Sequence, residues 1–137
     1  MISKPPLIGI IDDDEIYQFM LTRLIKNNIL SESIITFPDG EKAIQYFSDN
    51  KAATENIPDI IFLDINMPIM DGWQFIEEYA RIKTEIKKKV LIFMLSSSLN
   101  PIDIKRANKI NEISHYILKP IKSEEIKKIF DSLEILL

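Results

Sequence analysis

Apolar positions fall into two alternating patterns along this chain. Unbroken runs lie at 7–11, 60–63 and 90–95, and a short apolar run without polar interruption suits a strand buried on both faces of a parallel sheet. Elsewhere apolar residues recur every three or four positions, the spacing of amphipathic helices. Ile16, Phe19, Met20, Leu24 and Ile25 predict a helix over 16–30. After the turn Pro38-Asp39-Gly40, with Asp39 as N-cap, Ala43, Ile44 and Phe47 predict a second. Phe75, Ile76, Tyr79 and Ile82 give a third over 72–83. Asn100-Pro101, a capping residue with proline at the first helical position, opens a fourth through Ile104, Ala107 and Ile110. Ser123 is expected to cap a fifth, with Ile126, Ile129, Phe130, Leu133, Leu136 and Leu137 on one face. Two further strands are expected, β-branched at 33–37 and short at 116–118, and the polar stretch 48–58 reads as a loop.

Strands thus alternate with helices five times. Parallel strands must be bridged by right-handed helical crossovers, so the expected fold is α/β: a doubly wound, five-stranded parallel sheet of flavodoxin-like order 2-1-3-4-5 with five helices. No repeat, low-complexity segment or composition shift divides the chain. One domain is expected over 1–137, its core starting at about residue 6, with no output domain.

Composition narrows the function. At 137 residues, 46% hydrophobic and 28% charged, the chain can bury a core and has the balance of a globular protein. A net charge of -4 argues against direct nucleic-acid binding, which needs a basic footprint. The absence of cysteine removes disulfides and thiolate metal sites and fits a reducing compartment. No apolar stretch reaches membrane-spanning length, so a cytoplasmic protein with no membrane partner is expected.

The chemistry sits where the strands stop. Asp12 follows the first strand, Asp64 the third, Ser96 the fourth and Lys119 the fifth. Parallel strands bring these residues to one edge, and the order 2-1-3-4-5 makes the first and third strands neighbours at the switch point, where such sheets bind ligands. Asp12 and Asp13 then meet Asp64. Three crowded carboxylates repel and need a compensating charge. A hard divalent cation, Mg2+ (or Mn2+), supplies one and also binds phosphoryl oxygens, while Lys119 supplies another and Ser96 a hydroxyl donor. The constellation points to phosphoryl transfer onto a carboxylate nucleophile, Asp64. Taken singly each residue has a plainer reading: Asp71 as a helix cap, Asp14 and Glu15 as first-turn acids, His115 as a surface residue, Met67, Met70, Met94 and Trp73 as packing. It is the joint pattern that carries the assignment.

Four segments, Ile10-Ile11-Asp12-Asp13-Asp14, Leu63-Asp64-Ile65-Asn66-Met67-Pro68-Ile69-Met70-Asp71-Gly72, Met94-Leu95-Ser96-Ser97 and Tyr116-Ile117-Leu118-Lys119-Pro120, together resemble the receiver domains of response regulators, the CheY-like family. The resemblance spans nearly the whole chain. It implies a two-component phosphorelay protein of the stand-alone type. Asp64 would be phosphorylated by a sensor histidine kinase, a histidine phosphotransfer protein or a small acyl phosphate. Mg2+ would be held by Asp13, Asp64 and the backbone carbonyl of Asn66, with Asp12 acting through water. Lys119 would hold the phosphoryl group, while Ser96 and Tyr116 would switch a protein-binding face formed by the fourth helix, fifth strand and fifth helix. Such a protein is a signalling switch rather than an enzyme, a monomer or weak dimer, with a downstream protein target that the sequence does not name. Ser96 stands where threonine is frequent in the family, Ser97 where alanine is usual, and Asn66 and Ser98 where phosphoryl lifetime is tuned.

Other readings fit less well. A phosphorylation-independent pseudo-receiver would not need the intact Asp13, Asp64, Ser96 and Lys119. A hydrolase of the haloacid dehalogenase type wants an acid where Asn66 stands, and a flavodoxin wants a phosphate loop after the first strand.

Overall fold

In the computed structural model, β1 (Ile8–Ile11), β2 (Ile34–Phe37), β3 (Ile60–Asp64), β4 (Leu91–Ser96) and β5 (Ile113–Leu118) form one parallel sheet in the order β2-β1-β3-β4-β5. Five helices connect and follow them: α1 (Glu15–Asn27), α2 (Gly40–Asp49), α3 (Gly72–Ile82), α4 (Pro101–Asn108) and α5 (Ser123–Leu136). The structure describes residues 6–28, 33–97 and 100–136, with side chains through residue 131. Leu30 and Ser98, and the side chains of Leu133, Leu136 and Leu137, lie outside the described residues. Among the described residues no helix is long and apolar enough to cross a membrane.

Side chains alternate across a strand, and here the alternation builds two cores. Ile11, Ile61, Leu63, Ile92 and Met94 point to the face covered by Ala43 and Phe47 of α2, Phe75, Ile76 and Tyr79 of α3 and Ala107 of α4. Phe47 is the hub of that layer, with edge-on ring contacts to Phe37, Tyr46, Phe75 and Tyr79. Ile8, Ile10, Ile60, Phe62, Phe93 and Leu95 point the other way, against Leu21 and Ile25 of α1 and Ile126, Ile129 and Phe130 of α5. The central strands β1, β3 and β4 are buried at every position, as a sheet covered on both faces requires.

Several boundaries depart from the pattern read along the sequence. β5 begins at Ile113, three residues before the expected start. Ser114 and His115 face solvent on this edge strand, and their polarity hides it from an apolar-run search. The 48–58 stretch contains the end of α2 and a 3-10 turn at Thr54–Asn56. In α1 the expected stripe is rotated: Ile16, Phe19 and Met20 are 74%, 62% and 55% exposed, while Leu21 and Ile25 are buried with Tyr17 and Leu24 packed beside them. Apolar residues occupy more than one side of this helix, so spacing alone does not select the buried one.

Capping is as expected at three helices. Asp39 accepts from the Lys42 amide, Asp71 forms a reciprocal capping box with Gln74, and Asn100 accepts from the Ile102 amide ahead of Pro101. Ser123 does not cap α5; it is the first helical residue, and its hydroxyl donates to Asn28 Oδ1. The half-box there is made by Glu125, whose carboxylate accepts the Lys122 amide.

The loop after β3 is held tightly against the sheet. Gly72 donates its amide to the Ile65 carbonyl at 2.8 Å, and a Cβ on Gly72 would stand 2.7 Å from the Asp64 carbonyl oxygen and 2.9 Å from Ile65 Cα. Only glycine allows α3 to start this close to the strand end. Within the same loop the Met70 amide bonds back to the Pro68 carbonyl at 2.7 Å, and the intervening Ile69 has φ of 69°. A β-branched residue is seldom held there. Gly72→Ala should therefore destabilise the fold by about 1–3 kcal/mol through backbone overpacking, read as a lower urea midpoint at unchanged slope. A midpoint equal to wild type would contradict the close docking.

Candidate functional site

Register delivers the polar residues to one place. Ile11 pairs with Leu63, so Asp12 and Asp64 come next to each other just beyond that pair. Asp64 pairs with Leu95, and Ser96 with Leu118, which carries Lys119 past the end of β5. The Lys119 amide donates to the Ser96 carbonyl at 2.8 Å, and the Asp12 amide to the Phe37 carbonyl at 3.1 Å, extending the ladders by one rung into the site. Asp12, Asp64 and Ser96 are 1%, 6% and 1% exposed. Asp13 faces solvent at the mouth.

The central contact is a lysine held by two carboxylates. Lys119 Nζ lies 2.9 Å from Asp12 Oδ2 and 3.1 Å from Asp64 Oδ1. The other Asp12 oxygen accepts the Asp14 amide at 2.9 Å, so both of its oxygens are engaged. Asp14 in turn caps α1, accepting the Ile16 and Tyr17 amides. Asp12, Asp13 and Asp64 each offer a carboxylate oxygen, and these oxygens lie within 4.8 Å of one another.

Electrostatics divide these groups. Burial, with the neighbouring Asp12 charge, pushes the Asp64 carboxyl up to about 6, and Lys119 offsets only part of this. Burial alone would lower the Lys119 ammonium, but its hydrogen bond to Asp12 and the charges of both carboxylates outweigh that and raise it above its ordinary value. Lys119 thus stays cationic at neutral pH, while Asp64 is a carboxylate whose charge is poorly compensated. A site in this condition favours an added cation.

All of the residues singled out in the sequence, Asp12, Asp13, Asp64, Ser96 and Lys119, lie at this edge. Asn66 is exposed two residues beyond β3, and Tyr116 is half-buried on β5, packed against the α2/α3/α4 core. Two neighbours of the site escaped sequence reasoning. Gln18 Nε2 donates to the Asp12 carbonyl at 2.5 Å and to the Phe37 carbonyl at 3.2 Å, tying α1 to the ends of β1 and β2. Tyr17 places its ring under Lys119 Nζ, 4.2 Å from the ring centroid. Both follow the acidic Asp12–Glu15 segment in the first turn of α1, and that proximity was their only signal.

Residues 8–131 match the response regulator receiver domain. Among solved structures, the chain is 29% identical to a two-component response regulator from Cytophaga hutchinsonii, with a TM-score of 0.87 over 96% of this chain and 99% of that one. It superposes with a TM-score of 0.72, at 19% identity, on the receiver domain of a sensor histidine kinase from Pseudomonas aeruginosa PAO1, over 94% of this chain and 97% of that one. That structure has a magnesium ion coordinated in its active-site cleft. A curated relative, a probable methanogenesis regulatory protein of Methanothrix harundinacea, is 22% identical over 96% of this chain and 83% of its own length. The chain spans a smaller part of other curated relatives, 29% and 46% of the next two.

The raised Asp64 carboxyl has a consequence for stability. The folded chain holds that proton up to about 6, against an ordinary 3.8 in the unfolded chain. Folded protein therefore binds more protons across that window, and this group's contribution to stability falls as pH rises through it. In metal-free buffer Asp64→Asn should be more stable than wild type by roughly 2 kcal/mol near neutral pH, with the difference vanishing toward about pH 4. Thermal melts across that range measure it. A variant less stable than wild type at neutral pH would show that the Asp64 charge is well compensated.

Proposed function

The chain belongs to the response regulator receiver domain family, whose members are signalling switches, and from that premise we propose that Asp64 is its phospho-acceptor. The observation carrying this reading is the Lys119 ammonium between Asp12 and Asp64, at the carboxyl edge of the sheet with Asp13 beside them. In the transfer step an Asp64 oxygen forms a new bond to phosphorus as the donor's P–N bond, in a phosphohistidine, or P–O bond, in an acyl phosphate, breaks. The bonding pair leaves with the donor's imidazole or carboxylate. The acceptor must be ionised, and with its carboxyl near 6 Asp64 is so at neutral pH. Lys119 releases Asp64 and pairs with a phosphoryl oxygen, remaining anchored by Asp12. Ser96, buried at the end of β4, donates its hydroxyl to another.

The three carboxylates fit a hard cation: their oxygens are close enough to share one, and the site is short of positive charge. Asp13, Asp64 and the Asn66 carbonyl would hold Mg2+ (or Mn2+), with Asp12 acting through water. When bound, that ion neutralises charge on the transferring phosphoryl oxygens. Magnesium in the cleft of the Pseudomonas aeruginosa receiver domain supports this assignment by likeness of fold.

Signalling would follow from the shift of charge. Engagement of Ser96 and Lys119 by the phosphoryl group pulls on β4 and β5, and Tyr116 on β5 turns inward. The readout face comprises α4, β5 and α5, where Ile102 and Leu118 are exposed large apolar residues. The phosphodonor, a sensor histidine kinase or histidine phosphotransfer protein, would approach over the N-terminal part of α1, where Ile16, Phe19 and Met20 stand exposed beside the site. Beyond the receiver, the downstream target belongs to this same proposal, as a protein bound by the α4/β5/α5 face.

Incubation with Mg2+ and acetyl phosphate should add one phosphoryl mass to the wild type and none to Asp64→Asn, read by intact-mass spectrometry. An adduct surviving in Asp64→Asn would place the acceptor elsewhere. Asp13→Ala should weaken Mg2+ affinity by about tenfold or more, followed by titration calorimetry, and unchanged affinity would remove Asp13 from the ligand set.

A further inference from the structure

We infer that Tyr17 is a positioning residue that seats Lys119 for phosphoryl transfer, an inference that rests on Asp64 being the acceptor. The Lys119 ammonium has carboxylates on two sides, at 2.9 and 3.1 Å, and the face of the Tyr17 ring on a third, at 4.2 Å from its centroid. An aromatic face attracts a cation through its quadrupole, most strongly where water is kept away. Here it is kept away: the Lys119 side chain is 17% exposed.

The ring is itself fixed. Tyr17 lies in the first turn of α1, its amide donating to Asp14 Oδ1 at 3.2 Å, and its side chain packs against the core between α1, α5 and the sheet. Its buried hydroxyl lies against the Ile121 backbone. The ring is held by packing, by that backbone approach and by the cation above it.

The demand on Lys119 explains why such a seat matters. As Asp64 gains a phosphoryl group, the ammonium must part from the Asp64 oxygen and follow the phosphoryl oxygens. Lysine has a long, freely rotating stem. Without the ring, water reaches its head from that side and draws it off the transfer path, while Asp12 holds the ammonium from one side alone. The ring face blocks water from that side and follows the charge without forming a directional bond, so the ammonium can shift while remaining desolvated.

The experiment compares phosphorylation rates by acetyl phosphate, with Mg2+, for the full chain and variants at position 17. Tyr17→Phe keeps the ring face and should stay within about twofold of wild type. Tyr17→Leu should lower the maximal rate by about threefold to tenfold with little change in half-saturating donor. A series of increasingly fluorinated phenylalanines at 17 keeps the shape while draining the ring face of negative charge, and its rates should fall step by step. Purely structural packing would leave that series flat, and a flat series overturns the inference. So does a Tyr17→Leu variant that melts lower but phosphorylates at the wild-type rate, or a Tyr17→Phe variant as slow as Tyr17→Leu. A wild type that takes up no phosphoryl group at Asp64 is a separate failure, of the acceptor assignment, and the inference falls with it.

Discussion

One lysine between two buried carboxylates sets the charge balance at the carboxyl edge of the sheet. Lys119 spans the ends of β1, β3 and β5 in charge terms, contacting Asp12 and Asp64 while its own amide is bonded to Ser96 at the end of β4. Burying two acids side by side is unfavourable, because each raises the other's affinity for a proton. One ammonium does not cancel both charges, and the residual imbalance appears at Asp64, pushed up to about 6. The imbalance is the useful part. A fully neutralised site would have no need of a further cation, whereas this one has a charge left to offset.

The fold exists around that edge in a definite sense. β2 and β3 lie on opposite sides of β1, and the reversal of strand order there opens a crevice at the carboxyl ends. Burial on both faces makes the central strands rigid, so the two aspartates cannot separate to relieve their repulsion. Gly72 then lets α3 start against the backbone of Asp64 and Ile65, and Gln18 pins the Asp12 carbonyl from α1. The loop between, with Ile69 at positive φ, is the strained part of an otherwise regular scaffold.

Much of this was legible in the sequence, for a physical reason. A strand buried on both faces must be apolar throughout, so the first polar residue marks its end, and Asp12, Asp64 and Ser96 stood out as such endings. Where only one face is buried, reading was poorer. β5 lies at the sheet edge, so Ser114 and His115 interrupt its pattern and conceal half of its length. α1 carries apolar residues on more than one side, and the stripe with Ile16, Phe19 and Met20 competes with the buried one of Tyr17, Leu21, Leu24 and Ile25. Ring-on-ammonium contact between Tyr17 and Lys119 joins residues at opposite ends of the chain, and no local pattern encodes it. Ser123 looked like a cap because of its type, but in the fold Asn28 takes its hydroxyl.

By the proposal, phosphate lands on the Asp64 carboxylate and on no other group at this edge. The direct measurement is borohydride reduction of the phosphorylated chain, which converts an aspartyl phosphate to homoserine, followed by peptide sequencing through Ile10–Asp14, Leu63–Gly72 and Ser114–Lys119. Homoserine is expected at position 64 alone, dependent on prior phosphorylation. Homoserine at position 12 or 13, or a phosphoryl adduct that leaves position 64 unreduced, would contradict it.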